Sequence, residues 1–219
     1  MKPLIVANWK MNPVSLSKAE EMVAEIEKGI DGSSDVVVAP PYIFLDRLSR
    51  IVQKTILGAQ DAYFEDKGSF TGEISSLMLK ELGVRYLILG HSERRKIFKE
   101  DRYLIKKKIE AALENGLSVI LCIGEEEGED PKELLTRELV GVDPRVIIAY
   151  EPVWAIGSGR SPEAESIKEI PSLIGQEFRV IYGGSVNSSN YKNYLRFFSG
   201  LLVGGASLDP EEFIKITRV

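Results

Sequence analysis

Glu151 stands where a buried strand runs out. It follows the β-branched apolar run Val146-Ile-Ile-Ala-Tyr150, and Pro152 after it stops further pairing. Val153 and Trp154 then lead to a Gly157-Ser158-Gly159 tip that can take backbone angles closed to other residues. A carboxylate at a strand mouth, a stiff start and a glycine tip suit a catalytic group under a lid. The same stretch also reads as a strand, a turn and a solvated glutamate, the glycines being ordinary turn signals.

Other residues of chemical interest stand after other apolar runs. Asn8 and Lys10 follow Leu4–Ala7, and His91, Ser92 and Glu93 follow Tyr86–Leu89. Gly183-Gly184-Ser185 and Gly204-Gly205-Ala206-Ser207 are glycine-rich turns whose N–H groups could hold a phosphate near a helix start. Taken singly, Lys10 reads as a surface lysine, His91 as a structural histidine and the glycine pairs as common turns. Taken together they are a base, a polarising acid, a fixed cation and an anion cradle.

That convergence requires elements that bring separate run ends to one rim. Eight short apolar runs recur: Leu4–Ala7, Val36–Ala39, Ile56–Ala59, Tyr86–Leu89, Val119–Ile123, Val146–Tyr150, Phe178–Tyr182 and Gly200–Val203. Each is followed by an amphipathic stretch, such as Leu16, Ala19, Met22, Val23, Ile26 and Ile30 at helical spacing. The spacing predicts one helix from about 94 to 114, another over 162–174 and another over 187–198. Asp209-Pro210-Glu211-Glu212 opens the last helix with an N-cap and a proline in the first turn. Strand–helix alternation without linkers indicates an α/β fold and one domain over residues 1–219. Eight units favour a closed (β/α)8 barrel over an open sheet, with the chemistry at the C-terminal strand ends.

Composition bounds the function. A hydrophobic share of 44% and a charged share of 28% are ordinary for a globular chain. A net charge of −5 argues against nucleic acid as a partner. One cysteine, Cys122, and one histidine exclude an internal disulfide and a His/Cys zinc site. The first apolar run is too short for a membrane span, so the expectation is a cytoplasmic protein with no membrane partner. The acidic run Glu125–Asp130 reads as a solvated loop rather than a metal site, its carboxylates being adjacent rather than spaced along one face.

With these residues in view, the chain closely resembles the triosephosphate isomerase family. The matching stretches are Ala7-Asn-Trp-Lys-Met-Asn12, Gly68-Ser-Phe-Thr-Gly-Glu-Ile-Ser75, Leu89-Gly-His-Ser-Glu-Arg-Arg95 and Leu121-Cys-Ile-Gly-Glu125. Ala149–Arg160, Tyr182-Gly-Gly-Ser-Val186 and Leu202–Leu208 follow in family order. The resemblance implies interconversion of two triose phosphates in glycolysis and gluconeogenesis, without a metal or organic cofactor. It implies Glu151 as the base, His91 as the electrophile and Lys10 as the cation held by Glu93. Asn8 would be a further polar contact, and Gly157, Ser185, Gly204 and Gly205 would bind phosphate. A neutral histidine beside a carboxylate base under a closing loop is the family's own pattern. The leading hinge would be Pro152–Trp154 and the latch Tyr182. Residues 61–73 would join at least a homodimer, with Glu73 meeting an arginine of the Arg94 type in the neighbour. The strand 7 and 8 turns alone would also suit another phosphate-binding barrel, but that reading gives no reason for the Lys-His-Glu set.

Three places depart from the family pattern. Asp61 replaces the usual asparagine beside the dimer segment, where its charge would weaken or rearrange that contact. The trailing hinge reads Arg160-Ser161-Pro162. The segments after strands 5 and 6 are shorter, by roughly three helical turns each, which would expose apolar surface.

Overall fold

Each expected apolar run is a strand, and every strand pairs in parallel with the next until the last returns to the first. These are β1 Leu4–Asn8, β2 Asp35–Ala39, β3 Ile56–Ala59, β4 Tyr86–Leu89, β5 Ser118–Ile123, β6 Ile147–Tyr150, β7 Arg179–Gly184 and β8 Gly200–Val203. The barrel closes through the register Leu4↔Gly200 to Ala7↔Val203. The computed structural model describes residues 1–155 and 161–219.

Two apolar layers result from the alternation of side chains along each strand. Leu4, Val6, Val37, Ile88, Ile120, Cys122, Ile147, Ala149, Ile181 and Leu202 fill the barrel interior. Their strand neighbours, such as Ile5, Val38, Leu87, Leu121 and Ile148, face the helices. The inward register continues one step past the filled layer. After Leu4 and Val6 it reaches Asn8, after Ile147 and Ala149 it reaches Glu151, after Ile181 it reaches Gly183, and after Leu202 it reaches Gly204. The polar rim is therefore the next layer of the same pattern.

The outer ring holds α1 Leu16–Gly29, α2 Tyr42–Ser49, α3 Ser76–Glu81, α4 Ser92–Ile97, α5 Arg102–Glu114, α6 Pro131–Glu138, α7 Ile170–Ile174, α8 Tyr191–Leu195 and α9 Pro210–Thr217. α1 buries Ala19, Met22, Val23 and Ile26, and each large side chain contributes about 1.5–3 kcal/mol relative to exposure. Asp209 caps α9 by accepting from the N–H groups of Glu211 and Glu212, as expected.

Three helices differ from the spacing reading. The 94–114 stretch is two helices, because Lys99 lies in the left-handed region at φ 60° and Asp101 caps a fresh start at Leu104 N. The 162–174 stretch holds a 3₁₀ turn at Ala164–Ile167 and then α7; Pro171, with no N–H to donate, sits in the first turn of the second piece. The 187–198 stretch contracts to the five residues of α8. α6 has eight residues and α7 five, in keeping with shortened segments after β5 and β6. Val140, just past α6, is 65% exposed.

Candidate active site

β6 ends at Tyr150, and Glu151 extends it by one hydrogen bond, donating its N–H to Ile123 O at 2.8 Å. Its carboxylate points over the barrel mouth and is buried, and Oε2 has no hydrogen-bond partner among the described residues. The room for it comes from glycine. A Cβ on Gly183 would stand 2.5 Å from Glu151 Cγ, and one on Gly124 would stand 1.6 Å from Glu151 O. Gly183, expected as part of an anion cradle, thus first leaves space for the carboxylate. Below it lies the buried Cys122 thiol, pushed well up by burial and then by the Glu151 carboxylate beside it. The thiol stays protonated and inert.

His91 N-caps α4. Its Nδ1 accepts the backbone N–H of Glu93 at 3.3 Å. An acceptor at Nδ1 puts the proton of a neutral imidazole on Nε2. That Nε2 stands 3.9 Å from Glu151 Oε2, beyond hydrogen-bonding distance, so both groups are left to meet a third partner.

Lys10 follows β1 with φ at 53°, an unusual angle for a side chain of its size. Its N–H donates to Asn8 Oδ1 at 3.1 Å, and its Nζ lies 2.5 Å from Glu93 Oε1. The stem passes Gly204, where an added Cβ would meet Lys10 Cε at 3.6 Å. Gly204 caps the 3₁₀ turn Gly205–Leu208, whose first N–H groups lack partners within the turn.

One cavity of about 310 Å³ is bordered by Asn8, Lys10, His91, Glu151, Ser185, Gly204 and Gly205 together. Every site residue expected from the sequence therefore meets there, except Glu93, which stands behind Lys10, and Gly157, which lies outside the described residues. Arg160 of the trailing hinge also lies outside them. A volume of this size suits a small ligand.

Val153–Ala155 form a 3₁₀ turn, and Ser185 Oγ donates to Ala155 O at 2.8 Å. Tyr182 is fully buried and stacked on Tyr194 with ring centres 4.0 Å apart; its hydroxyl has no partner among the described residues. Glu125 is not solvated, in contrast to the reading of the acidic run. It is buried and accepts from Tyr150 OH at 2.9 Å and Trp154 Nε1 at 3.3 Å, so it ties the strand to the turn at Val153–Ala155. Among the described residues no cluster of three or more His, Cys, Asp or Glu could hold a metal ion.

Asp61 also differs from expectation. It is turned inward, with both carboxylate oxygens on Lys108 Nζ at 2.9 and 2.8 Å and Arg94 Nε at 2.8 Å. Arg94 and Lys108 also hold Glu100, at 2.6 and 2.5 Å. Arg94, expected to await a neighbour's Glu73, is thus already paired within its own chain. Sequence reading missed Gln60, whose side-chain amide donates to Lys10 O at 2.8 Å, Gly183 in its spacing role, Glu125 and this buried ion cluster. The first two depend on which strand face looks inward, and strands apolar on both faces carry no sequence signal for that.

A closed (β/α)8 barrel with a carboxylate, an imidazole and an ammonium around one mouth cavity defines a barrel enzyme with its chemistry at the C-terminal strand ends. A family model described as triosephosphate isomerase matches residues 3–219. A relative named triosephosphate isomerase from Thermoanaerobacter pseudethanolicus is 43% identical, covering 99% of this chain and 99% of the relative. One of the same name from Aquifex aeolicus is 43% identical over 99% and 98% of the two chains. Another, from Coprinopsis cinerea, is 43% identical over 93% and 92%. The chain belongs to the triosephosphate isomerase family.

Proposed function

We propose that this chain interconverts dihydroxyacetone phosphate and D-glyceraldehyde 3-phosphate through an enediolate, with residues 1–219 acting as one catalytic domain. The observation that carries the reading is the buried Glu151 Oε2, without a hydrogen-bond partner among the described residues, 3.9 Å from His91 Nε2 on a cavity that Lys10 also borders.

The chemistry follows from these groups. Glu151 removes a proton from the carbon beside the substrate carbonyl, and the bond electrons move onto oxygen. His91 Nε2–H donates to that oxygen, and the Lys10 ammonium stabilises its negative charge where it develops. Protonated Glu151 returns the proton to the adjacent carbon while the hydroxyl proton passes through His91 from the oxygen that becomes the new carbonyl to the former carbonyl oxygen, so no cofactor is consumed. Asn8 holds the Lys10 backbone, and Glu93 holds its ammonium. Ser185, Gly204 and Gly205, with Gly157 from the lid, take the phosphate. Trp154 and Tyr182 act as hinge and latch.

A coupled assay of the purified chain with each triose phosphate tests the activity. Glu151→Asp withdraws the base by one methylene and is expected to lower kcat by about 10²-fold with an unchanged melting temperature. Full activity in that variant would remove Glu151 from the role.

We also read the chain as at least a homodimer formed through residues 61–73. That segment is closed on itself by Tyr63 N donating to Ile74 O, and carries Phe70 against Tyr63 with ring centres 4.7 Å apart. Met11, Val14 and Phe98 are exposed apolar side chains of the kind a partner covers. Light scattering at assay concentration tests this; a monomeric mass with full activity contradicts it. No helix among the described residues is long and apolar enough to cross a membrane. A cytoplasmic location is the reading that suits a lone cysteine and this substrate, and cell fractionation checks it.

A further inference from the structure

Lys10 is held at three points, and one of the holding groups belongs to no part of the chemistry described above. Gln60 follows the inward-facing Gly58 of β3 by two residues, so it enters the barrel mouth in the same register as Asn8 and Glu151. Its Nε2 donates to Lys10 O at 2.8 Å and to Ala39 O at 2.8 Å. Both partners are carbonyl oxygens, so only the NH₂ end of the amide can face them. Ala39 O also accepts from Trp9 N at 3.1 Å, which locks the β1–β2 end to the same point. Gln60 does not border the substrate cavity, whereas Lys10 does.

The need for the clamp lies in the Lys10 backbone. A lysine at φ 53° persists only where its surroundings over-determine it. Asn8 Oδ1 takes its N–H, Glu93 takes its ammonium and Gln60 takes its C=O. Without the Gln60 amide, the peptide after Lys10 is free to rotate toward ordinary angles. The ammonium would then be carried away from its place beside Gly204.

We infer that Gln60 is a positioning residue for the triose phosphate reaction, acting on substrate only through the backbone of Lys10. The inference rests on the isomerase reading for its kinetic part but not for its binding part.

The test is a double-mutant cycle. Gln60→Met keeps the length and removes both donors. It is expected to lower kcat/KM about 10- to 100-fold, and to raise the Kd for inorganic phosphate, followed by ³¹P NMR titration, by about the lower end of that factor. In a Lys10→Ala background the same substitution is expected to change either quantity by less than about threefold, because the group it positions is gone. Gln60→Glu has nearly the same volume and presents an acceptor to two carbonyls. It gives a second readout should the methionine variant fail to melt cooperatively. Equal losses in both backgrounds, or unchanged kcat/KM and phosphate affinity in a folded variant, overturn the inference. If the wild-type chain lacks turnover, the isomerase reading fails by itself, and the phosphate cycle still decides the role of Gln60.

Discussion

Gly183 and Glu151 face each other across the barrel mouth so closely that a methyl group on the glycine would lie 2.5 Å from Glu151 Cγ. Real contacts of that kind do not occur, so one of the two must move. The glycine needs no unusual backbone angle here, lying within β7; what it supplies is absence of volume.

Gly183→Ala is therefore expected to push the carboxylate out of line with His91 Nε2 while leaving the barrel intact. A displacement approaching an ångström costs about 10²-fold in kcat. Steady-state kinetics with a thermal melt check this. An alanine variant with wild-type kcat would mean the carboxylate has slack that the packing denies.

Asp61 should make stability depend on pH in an unusual direction. Burial pushes its carboxyl up to about 6, with Glu100 adding to the rise and Lys108 and Arg94 opposing it. Burial acts upward on Glu100 too, but hydrogen bonds from Arg94 and Lys108 outweigh it and hold that group low. The hydroxyl of Tyr42 meets the Asp61 carbonyl on the remaining side. A raised folded pKa means the folded chain binds that proton more tightly than the unfolded chain. The contribution is full below the unfolded value and is lost as pH rises through about 6. Going from pH 7 to pH 5, wild type should gain about 1 kcal/mol from this group, which Asp61→Asn lacks. Urea unfolding at both pH values measures it, and a variant-minus-wild-type difference that does not change with pH would refute the assignment.

Glu125 joins the end of β6 to the turn at Val153–Ala155. Glu125→Leu removes the acceptor for the Tyr150 hydroxyl and for Trp154 Nε1. Leaving a buried hydroxyl unpaired costs about 1–3 kcal/mol, and the loosened indole should change the tryptophan emission. Denaturant unfolding followed by fluorescence reads both. A leucine variant as stable as wild type would show that the carboxylate is dispensable.

Much of the fold was legible in the residues alone. Eight short apolar runs with amphipathic stretches between them imply a parallel sheet closed by helices, and all eight strands form where those runs lie. Of the polar and glycine residues at the ends of the runs, Asn8, Lys10, His91, Glu151, Ser185, Gly204 and Gly205 border one cavity. Helix continuity was less legible. Apolar spacing carries across Lys99 and Pro171, but the backbone does not, because a left-handed residue and a missing N–H interrupt a helix without altering its hydrophobic pattern.

What the amino-acid order determined by itself was which elements exist, in what sequence, and which polar groups stand at their ends. What only the tertiary structure decided was which face of each strand looks inward. In a parallel sheet covered by helices both faces are apolar, so alternation has no polar marker from which to count. Closure of the barrel chooses the face. That choice turns Glu151 over the mouth, sets Gly183 beneath it as empty space and brings Gln60 to the Lys10 carbonyl. It also leaves Asp61 to find its charges inside its own chain, because Lys108 and Arg94 lie many residues away along the sequence and only folding brings them within 3 Å.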